Sequence, residues 1–445
     1  MTSTKFGKAL KEQFLLAPGW RNMNNGSFGV VPRVIKDKQV EYQLQEESNP
    51  DKYIRYDQPK LLDASRQAIA KFVNAPSDTV ILASNATTAV NIILRNLVWD
   101  QDGKDEILSF STIYGACGKT ISYICDYNEL VSPRLIELQY PLEDEAIIER
   151  FRDAIQASKA AGKRPKLACF DTVSSLPGVC FPYKELTRIC REEGILSLVD
   201  GAQGVGMIPL DMTALDPDFF LSNCHKWINT PKGCAFMYIP VRNQGLLVST
   251  MPTSHGYVPK TGKAFVNPLP TDPSKSAFIQ KFQFVGTIDT SSLVCLKDAL
   301  EYRAKEFGTE EEIMNYLWTL AKQGGKKVAE IIGTNIIENS KGTLTNCALV
   351  NVWLPVKVGT TAATPAPGPN DVVLSEEDSP KALAWAAQLL VEEYKTFVPF
   401  VLHNNQWFVR ISAQIYLELG DFEWLANVLK EVVERLRAGE FKNQS

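Results

Sequence analysis

The sequence predicts an α/β protein built on a mostly parallel sheet covered on both faces, with a smaller α/β domain after it. Three observations carry that expectation. Short apolar and β-branched runs alternate with segments of helical periodicity, the pattern of repeated strand-helix units. The runs are apolar almost throughout, as strands buried on two faces require. After about residue 300 the texture changes to amphipathic helices separated by two strand-like segments, TNCALVNVWLP and QWFVRIS.

Composition supports this reading. At roughly 150 residues per domain, 445 residues suggest two or three domains. The 45% hydrophobic and 22% charged content excludes a disordered or coiled-coil chain. Forty-seven basic against 51 acidic residues give a net charge of -4. There is thus no basic excess of the kind that binding to nucleic acid or an anionic membrane needs, and small molecules are the expected partners. The first twenty residues hold one four-residue apolar stretch, Phe14 to Ala17, too short for a secretory signal, and no window approaches a membrane span. Nine cysteines, scattered and never spaced CxxC, suggest neither a zinc site nor a disulfide framework but a reduced, cytoplasmic protein. With three widely separated histidines, His225, His255 and His403, no metal site is expected.

The elements follow in order. TVILAS (79 to 84) reads as a strand, and NATTAVNIILRNLVW as a helix with Val90, Ile93, Leu94 and Leu97 on one face. The unit repeats as EILSF (106 to 110) with a helix from Gly115 to Asp126, as KLACFD (166 to 171) with a helix from Tyr183 to Glu193, and as ILSLVD (195 to 200). Helices are expected near 310 to 330, 381 to 396 and 421 to 437. The Pro-, Thr-, Gly- and acid-rich stretch 357 to 380 reads as a mobile surface insertion, and the irregular 253 to 276 as a segment bordering a site.

Chemistry concentrates at strand ends, where parallel sheets bind ligands. ILSLVDGAQGVG places Asp200 where a buried strand stops, and an acid there must either ion-pair or cap a turn. Twenty-six residues later, DFFLSNCHKWINTPKG runs from a strand into Ser222, Asn223, His225 and Lys226. A lysine among polar residues at the mouth of a sheet can be an imine-forming amine, because desolvation and nearby cations lower an ammonium pKa; most lysines are simply solvated. Asn85 to Thr88, where a strand feeds a helix, can cradle a phosphate.

VDGAQG followed by SNCHKW resembles the aminotransferase class V group of fold type I pyridoxal-phosphate (PLP) enzymes, in its isopenicillin N epimerase-like branch. RNMNNGSFG, NATTAVN, STIYGACGKT, DTVSSLPGV, PTSHGYVP, FVGTID and VRISAQIY extend the likeness over nearly the whole chain. The resemblance implies a seven-stranded, mostly parallel sheet. It also implies an N-terminal arm (1 to 50) reaching the active site and small domain, a large PLP-binding domain (51 to 300) and a small domain (301 to 445). Lys226 would hold PLP as a Schiff base and shuttle the proton at the substrate α-carbon, and Asp200 would pair with the pyridine nitrogen. Gln203 would donate to the phenolic oxygen, with Ser175 close by. Ala86 and Thr87 would hold the phosphate, Ser222 and His225 completing the cup. Tyr114 would stack on the pyridine face and could donate a proton; its alternative is a core tyrosine. Gly286 and Thr287 would reach the phosphate of a partner subunit, making a homodimer with shared sites. Arg410 would clamp the substrate carboxylate, unless it is a surface arginine. His255 is either a substrate contact or structural, and His403 is structural.

One departure stands out. Lyase- and epimerase-type relatives read NHGSFG where this chain reads NNGSFG, so Asn25 replaces an imidazole and cannot shuttle a proton near neutral pH. By resemblance the expected reaction is elimination with carbon-sulfur cleavage of a cysteine-derived or sulfoxide substrate. The main alternative is a carbon-carbon bond-forming, Mannich-type cyclising enzyme of fungal alkaloid secondary metabolism. An amino acid epimerase comes third, and an inactive scaffold last.

Overall fold

The computed structural model describes residues 5–263, 265–359 and 368–443. Seven strands form the larger sheet: β1 (Val80–Ala83), β2 (Asp105–Phe110), β3 (Val131–Ile136), β4 (Arg164–Asp171), β5 (Leu196–Asp200), β6 (Phe219–Asn223) and β7 (Ala235–Tyr238). Their order is β1-β7-β6-β5-β4-β2-β3. Strands β3, β2, β4, β5 and β6 run parallel, and β7 runs antiparallel to both β6 and β1. Side chains alternate between two apolar layers: Ala168, Phe170, Val199 and Phe220 enter one cluster, and Leu167, Cys169, Leu198 and Leu221 the other. This two-sided burial is why the strands read as unbroken apolar runs.

Several elements escape the sequence reading, among them β3, β7 and three helices before β1 and after β7, Arg33–Ser48, Gln58–Phe72 and Ser291–Tyr302. β3 contains Pro133 and alternates in burial, since it is an edge strand, where a missing N–H costs no ladder bond. β7 has only four residues, and the Asp144–Ala160 helix lies between β3 and β4.

A second sheet, ordered β10-β11-β8-β9, combines β8 (Leu349–Val358), β9 (Val372–Leu374), β10 (Phe400–His403) and β11 (Gln406–Ser412). Helices Glu310–Ile332 and Leu419–Arg437 pack on each other and on this sheet. The stretch expected as a mobile insertion is partly ordered. β9 pairs in parallel with β8, and Lys357 meets Asp371 at 3.0 Å, both nearly buried; residues 360–367 of that stretch lie outside the described residues. The N-terminal segment binds the same unit: the Gly7 N–H donates to the Ile415 carbonyl at 2.7 Å, and the Ser412 N–H to that of Met23 at 2.8 Å.

Arg303 ties the Ser291–Tyr302 helix to the turn after β6. Its side chain is 3% exposed, pairs with Glu310 at 2.6 Å, and donates to the carbonyls of Trp227 (2.8 Å) and Gly206 (2.9 Å). Arg303→Met leaves both carbonyls without donors, so the chain should lose on the order of 2 to 4 kcal/mol of stability, read as an earlier urea midpoint. An unchanged midpoint would show that water replaces the guanidinium without cost.

Candidate active site

The carboxyl ends of β4, β5 and β6 open into a cleft of about 180 Å3, lined by Lys226, Asp200, Asp171, Tyr114, His225 and Ser175, with Ala86, Thr87 and Asn223 at one end. Lys226 lies in a short helix, Cys224–Trp227, that starts where β6 stops. The turn can descend onto the sheet because Gly29 crosses it closely: at φ 66°, a Cβ on Gly29 would stand 1.7 Å from the His225 carbonyl oxygen. From the same N-terminal segment the Asn25 amide donates to the Lys226 carbonyl at 3.0 Å.

Lys226 is 8% exposed, and among the described residues its amine makes no hydrogen bond or ion pair. Burial, then the nearby Arg410 guanidinium, lowers its pKa to about 8, against the pull of Asp200 and Asp171. Arg410 is 1% exposed and, among the described residues, pairs with no carboxylate. Its Nη1 donates to the Ser175 carbonyl (2.8 Å) and hydroxyl (3.2 Å), its Nη2 to Asn24 Oδ1 (2.7 Å) and the Ser27 hydroxyl (2.8 Å), and its Nε is unpaired. Burial brings Arg410 down to about 10. Asp200 accepts from the Ala202 N–H at 2.8 Å and faces the Cys117 thiol at 3.4 Å; burial raises its pKa. Burial, then Lys226, holds His225 down to about 4, so the ring is neutral near pH 7, with Nδ1 3.1 Å from the Cys234 carbonyl.

The structure brings together most residues singled out in the sequence, and corrects others. Gln203 lines the cleft, but its Nε2 donates to the Gly26 carbonyl (2.6 Å) and its Oε1 accepts from Trp227 (2.9 Å). Ser222 is fully buried away from the cleft lining: its hydroxyl donates to the Gly201 carbonyl and accepts from the Val205 N–H at 3.1 Å, fastening the turn after β5. Asn25 is likewise behind the cleft, bonded to the Lys226 main chain rather than turned toward a substrate. Gly286 and Thr287 are not at the cleft within one chain but in a separate cavity of about 970 Å3. His255 is exposed, its ring 6.4 Å from that of Phe284. His403 is structural, accepting from the Tyr140 N–H at 2.9 Å. Tyr114 is half-exposed at the cleft rather than a core residue.

Sequence reasoning missed Asp171 and Cys117, and named Asn223 without giving it a role. Asn223 caps the Ala86–Asn96 helix from outside, its Oδ1 accepting from the Ala86 N–H at 2.9 Å, while Asn85 takes the Thr88 N–H at 2.8 Å. Asp171 ends β4 as Asp200 ends β5, and that shared position was the available cue.

An amine and a buried acid lining one cleft, with a buried guanidinium bonded to the cleft residues Ser175 and Ser27, set at strand ends beside a helix N-terminus, define a fold type I enzyme site. The chain belongs to the aminotransferase class-V family, whose profile matches residues 23–354. It is 34% identical over 97% of its length, and 96% of the relative's, to the L-cysteine desulfhydrase-like protein lolT1 of Epichloe uncinata. To the hercynylcysteine sulfoxide lyase of Schizosaccharomyces pombe it is 26% identical, over 96% of this chain and 97% of that one. The fold matches the solved cystine C-S lyase C-DES with a TM-score of 0.71 at 19% identity, covering 93% of this chain and 98% of that one.

The lowered Lys226 pKa has a testable sign. The reactive form is the free amine, whose population rises with pH through about 8 rather than through the ordinary lysine value of 10.5. The rate at which the cofactor-free protein captures an aldehyde at Lys226 should therefore level off above about pH 8. A midpoint near 10.5 would show a solvated lysine.

Proposed function

We propose that this protein is a PLP-dependent carbon-sulfur lyase acting on a cysteine-derived or sulfoxide α-amino acid. The observation that carries the reading is the Lys226 amine lining one cleft with the Asp200 carboxylate, while the buried Arg410, which has no carboxylate partner among the described residues, bonds the cleft residues Ser175 and Ser27. The residues fit the cofactor. Lys226 would hold it through its amine, Asp200 would face its ring nitrogen, Tyr114 would cover its ring, and Thr87 with the neutral His225 would meet its phosphate. When bound, PLP supplies the electron sink that makes an α-proton of an amino acid removable.

The chain's own groups account for the remaining work. The Lys226 amine, neutral in about half the molecules near pH 8, accepts the proton from the substrate α-carbon. Arg410 binds the α-carboxylate, which would be its first anionic partner and would satisfy the orphaned Nε. Ser175, Asn24 and Ser27 hold the guanidinium flat, so little side-chain freedom is lost on binding. Tyr114, half-exposed in the cleft lining, would give a proton from its hydroxyl to the departing sulfur. The relatives' names, a desulfhydrase-like protein and a sulfoxide lyase, agree with this chemistry.

The phosphate end is incomplete within one chain, because Asn223 and Asn85 already take two N–H groups of the helix N-terminus and Ser222 is spent elsewhere. This supports a homodimer in which Gly286 and Thr287 of one subunit serve the other's cleft. Among the described residues no helix is long and apolar enough to cross a membrane, and all nine cysteines are free, which supports a reducing, cytoplasmic setting.

The deciding experiment offers the protein L-cysteine, cysteine conjugates and cysteine sulfoxides. Release of pyruvate and ammonia with a sulfur product is expected, whereas a cyclised amino acid without pyruvate would replace the lyase reading with carbon-carbon bond formation. Removing one partner of a desolvated guanidinium-carboxylate pair costs about 2 to 5 kcal/mol, so Arg410→Ala should lower kcat/KM at least roughly thirtyfold for every accepted amino acid. For the dimer, sedimentation should show two subunits and Thr287→Ala should weaken PLP retention. A monomer that retains PLP tightly would rule out shared sites.

A further inference from the structure

The floor of the cleft holds a second carboxyl that the reaction above does not use. Asp171 and Asp200 are register partners at the ends of neighbouring parallel strands. Alternation puts their side chains on one face, that of Cys169 and Leu198, and adjacent strands stand about 4.8 Å apart, so the carboxyls are close neighbours. Both line the cleft together with Lys226.

The two acids are not equivalent. Asp200 has the Ala202 N–H and the Cys117 thiol as donors, and both favour its ionised form. Asp171 is 5% exposed, and among the described residues its carboxyl has neither a hydrogen bond nor an ion pair. Two adjacent buried carboxylates cannot both keep their charge, and the proton goes to the one lacking donors. The charged and titratable groups around Asp171 are Asp200 on β5, Lys226 after β6, Cys117 on the Gly115–Asp126 helix, Cys169 on its own strand, and Tyr140. Of these only Lys226 favours ionisation; burial and Asp200 push Asp171 well above the ordinary carboxylate range.

We propose that Asp171 is a positioning residue that carries the proton of this two-carboxyl floor and so leaves Asp200 as the single anion facing the ring of the cofactor. The clause about the cofactor rests on the reading above; the proton on Asp171 does not. The arrangement also serves Lys226. A second anion beneath it would hold the ammonium in its charged form, whereas a neutral Asp171 leaves the amine free to react.

Infrared spectra of the cofactor-free protein near neutral pH test the protonation directly. A carbonyl stretching band of a buried carboxylic acid is expected in the wild type, lost in Asp171→Asn with no new acid band appearing. If Asp171→Asn fails to fold, Asp171→Ser serves the same comparison. A wild type without the band, or a band that survives substitution of Asp171, overturns the proposal, the latter by placing the proton on Asp200. In the PLP-loaded protein, the pH midpoint of the cofactor's absorbance should be the same in Asp171→Asn as in the wild type. A fall of about one pH unit or more would mean that an anion had been removed, and would also overturn it. If the wild type takes up no PLP, the cofactor reading fails while the infrared result still decides the state of Asp171.

Discussion

The site depends on keeping two basic side chains out of water, Lys226 in the cleft lining and Arg410 behind Ser175 and Ser27. Lys226 and Arg410 are both nearly buried, and each is less stable there than in solvent. The protein meets the two costs differently. Among the described residues Arg410 has four oxygen acceptors but no opposite charge, so it stays charged and open to an anion. Lys226 has no acceptor among the described residues, which makes loss of its proton the easiest relief. The difference in solvation converts two basic side chains into a binding group and a proton acceptor.

An amine that keeps no bonds of its own must be positioned through its backbone. Arg303 holds the Trp227 carbonyl, Asn25 holds the Lys226 carbonyl, and Gly29 packs against the His225 carbonyl too closely for any side chain. These contacts come from segments remote in sequence, so the helix that ends at Tyr302 is part of the site without lining it, and the N-terminal segment both supports the site and lines it with Ser27 and Phe28. The Asn25 departure is also explicable in these terms. A neutral imidazole offers an N–H as the Asn amide does, so the exchange retains a donor for the Lys226 carbonyl and leaves only Asn25 Oδ1 orphaned.

What was legible in the sequence follows the range of the interactions. β4, β5, β6 and the Tyr183–Glu193 helix could be read because their burial is continuous over a strand or periodic over a helix, which is local information. Lys226, Asp200 and Arg410 were legible through motifs at strand ends. β3 was hidden by Pro133, whose tolerance depends on the strand lying at the sheet edge. Asn25 and Ser222 sit in motifs that point to the site, yet their side chains turn to backbone carbonyls, a choice made by tertiary packing.

Asp171 shows the same limit from the other side. In KLACFD it reads as the polar end of a strand, and nothing local separates it from an acid that caps a turn. Only the β4-β5 register places it beside Asp200, and only the distribution of donors makes the two acids unlike. Buried polar atoms without partners cost free energy in the absence of ligand, on the order of 1 to 3 kcal/mol each. Arg410 Nε is one such atom beside the cleft, and the Asp171 carboxyl and the Lys226 amine, which line it, make no hydrogen bond among the described residues. A fold selected for stability alone would have paired Lys226 with Asp171 across the cleft floor. Leaving them apart keeps an amine, an acid and an anion site available at once, which is the combination that proton transfer on a bound amino acid requires.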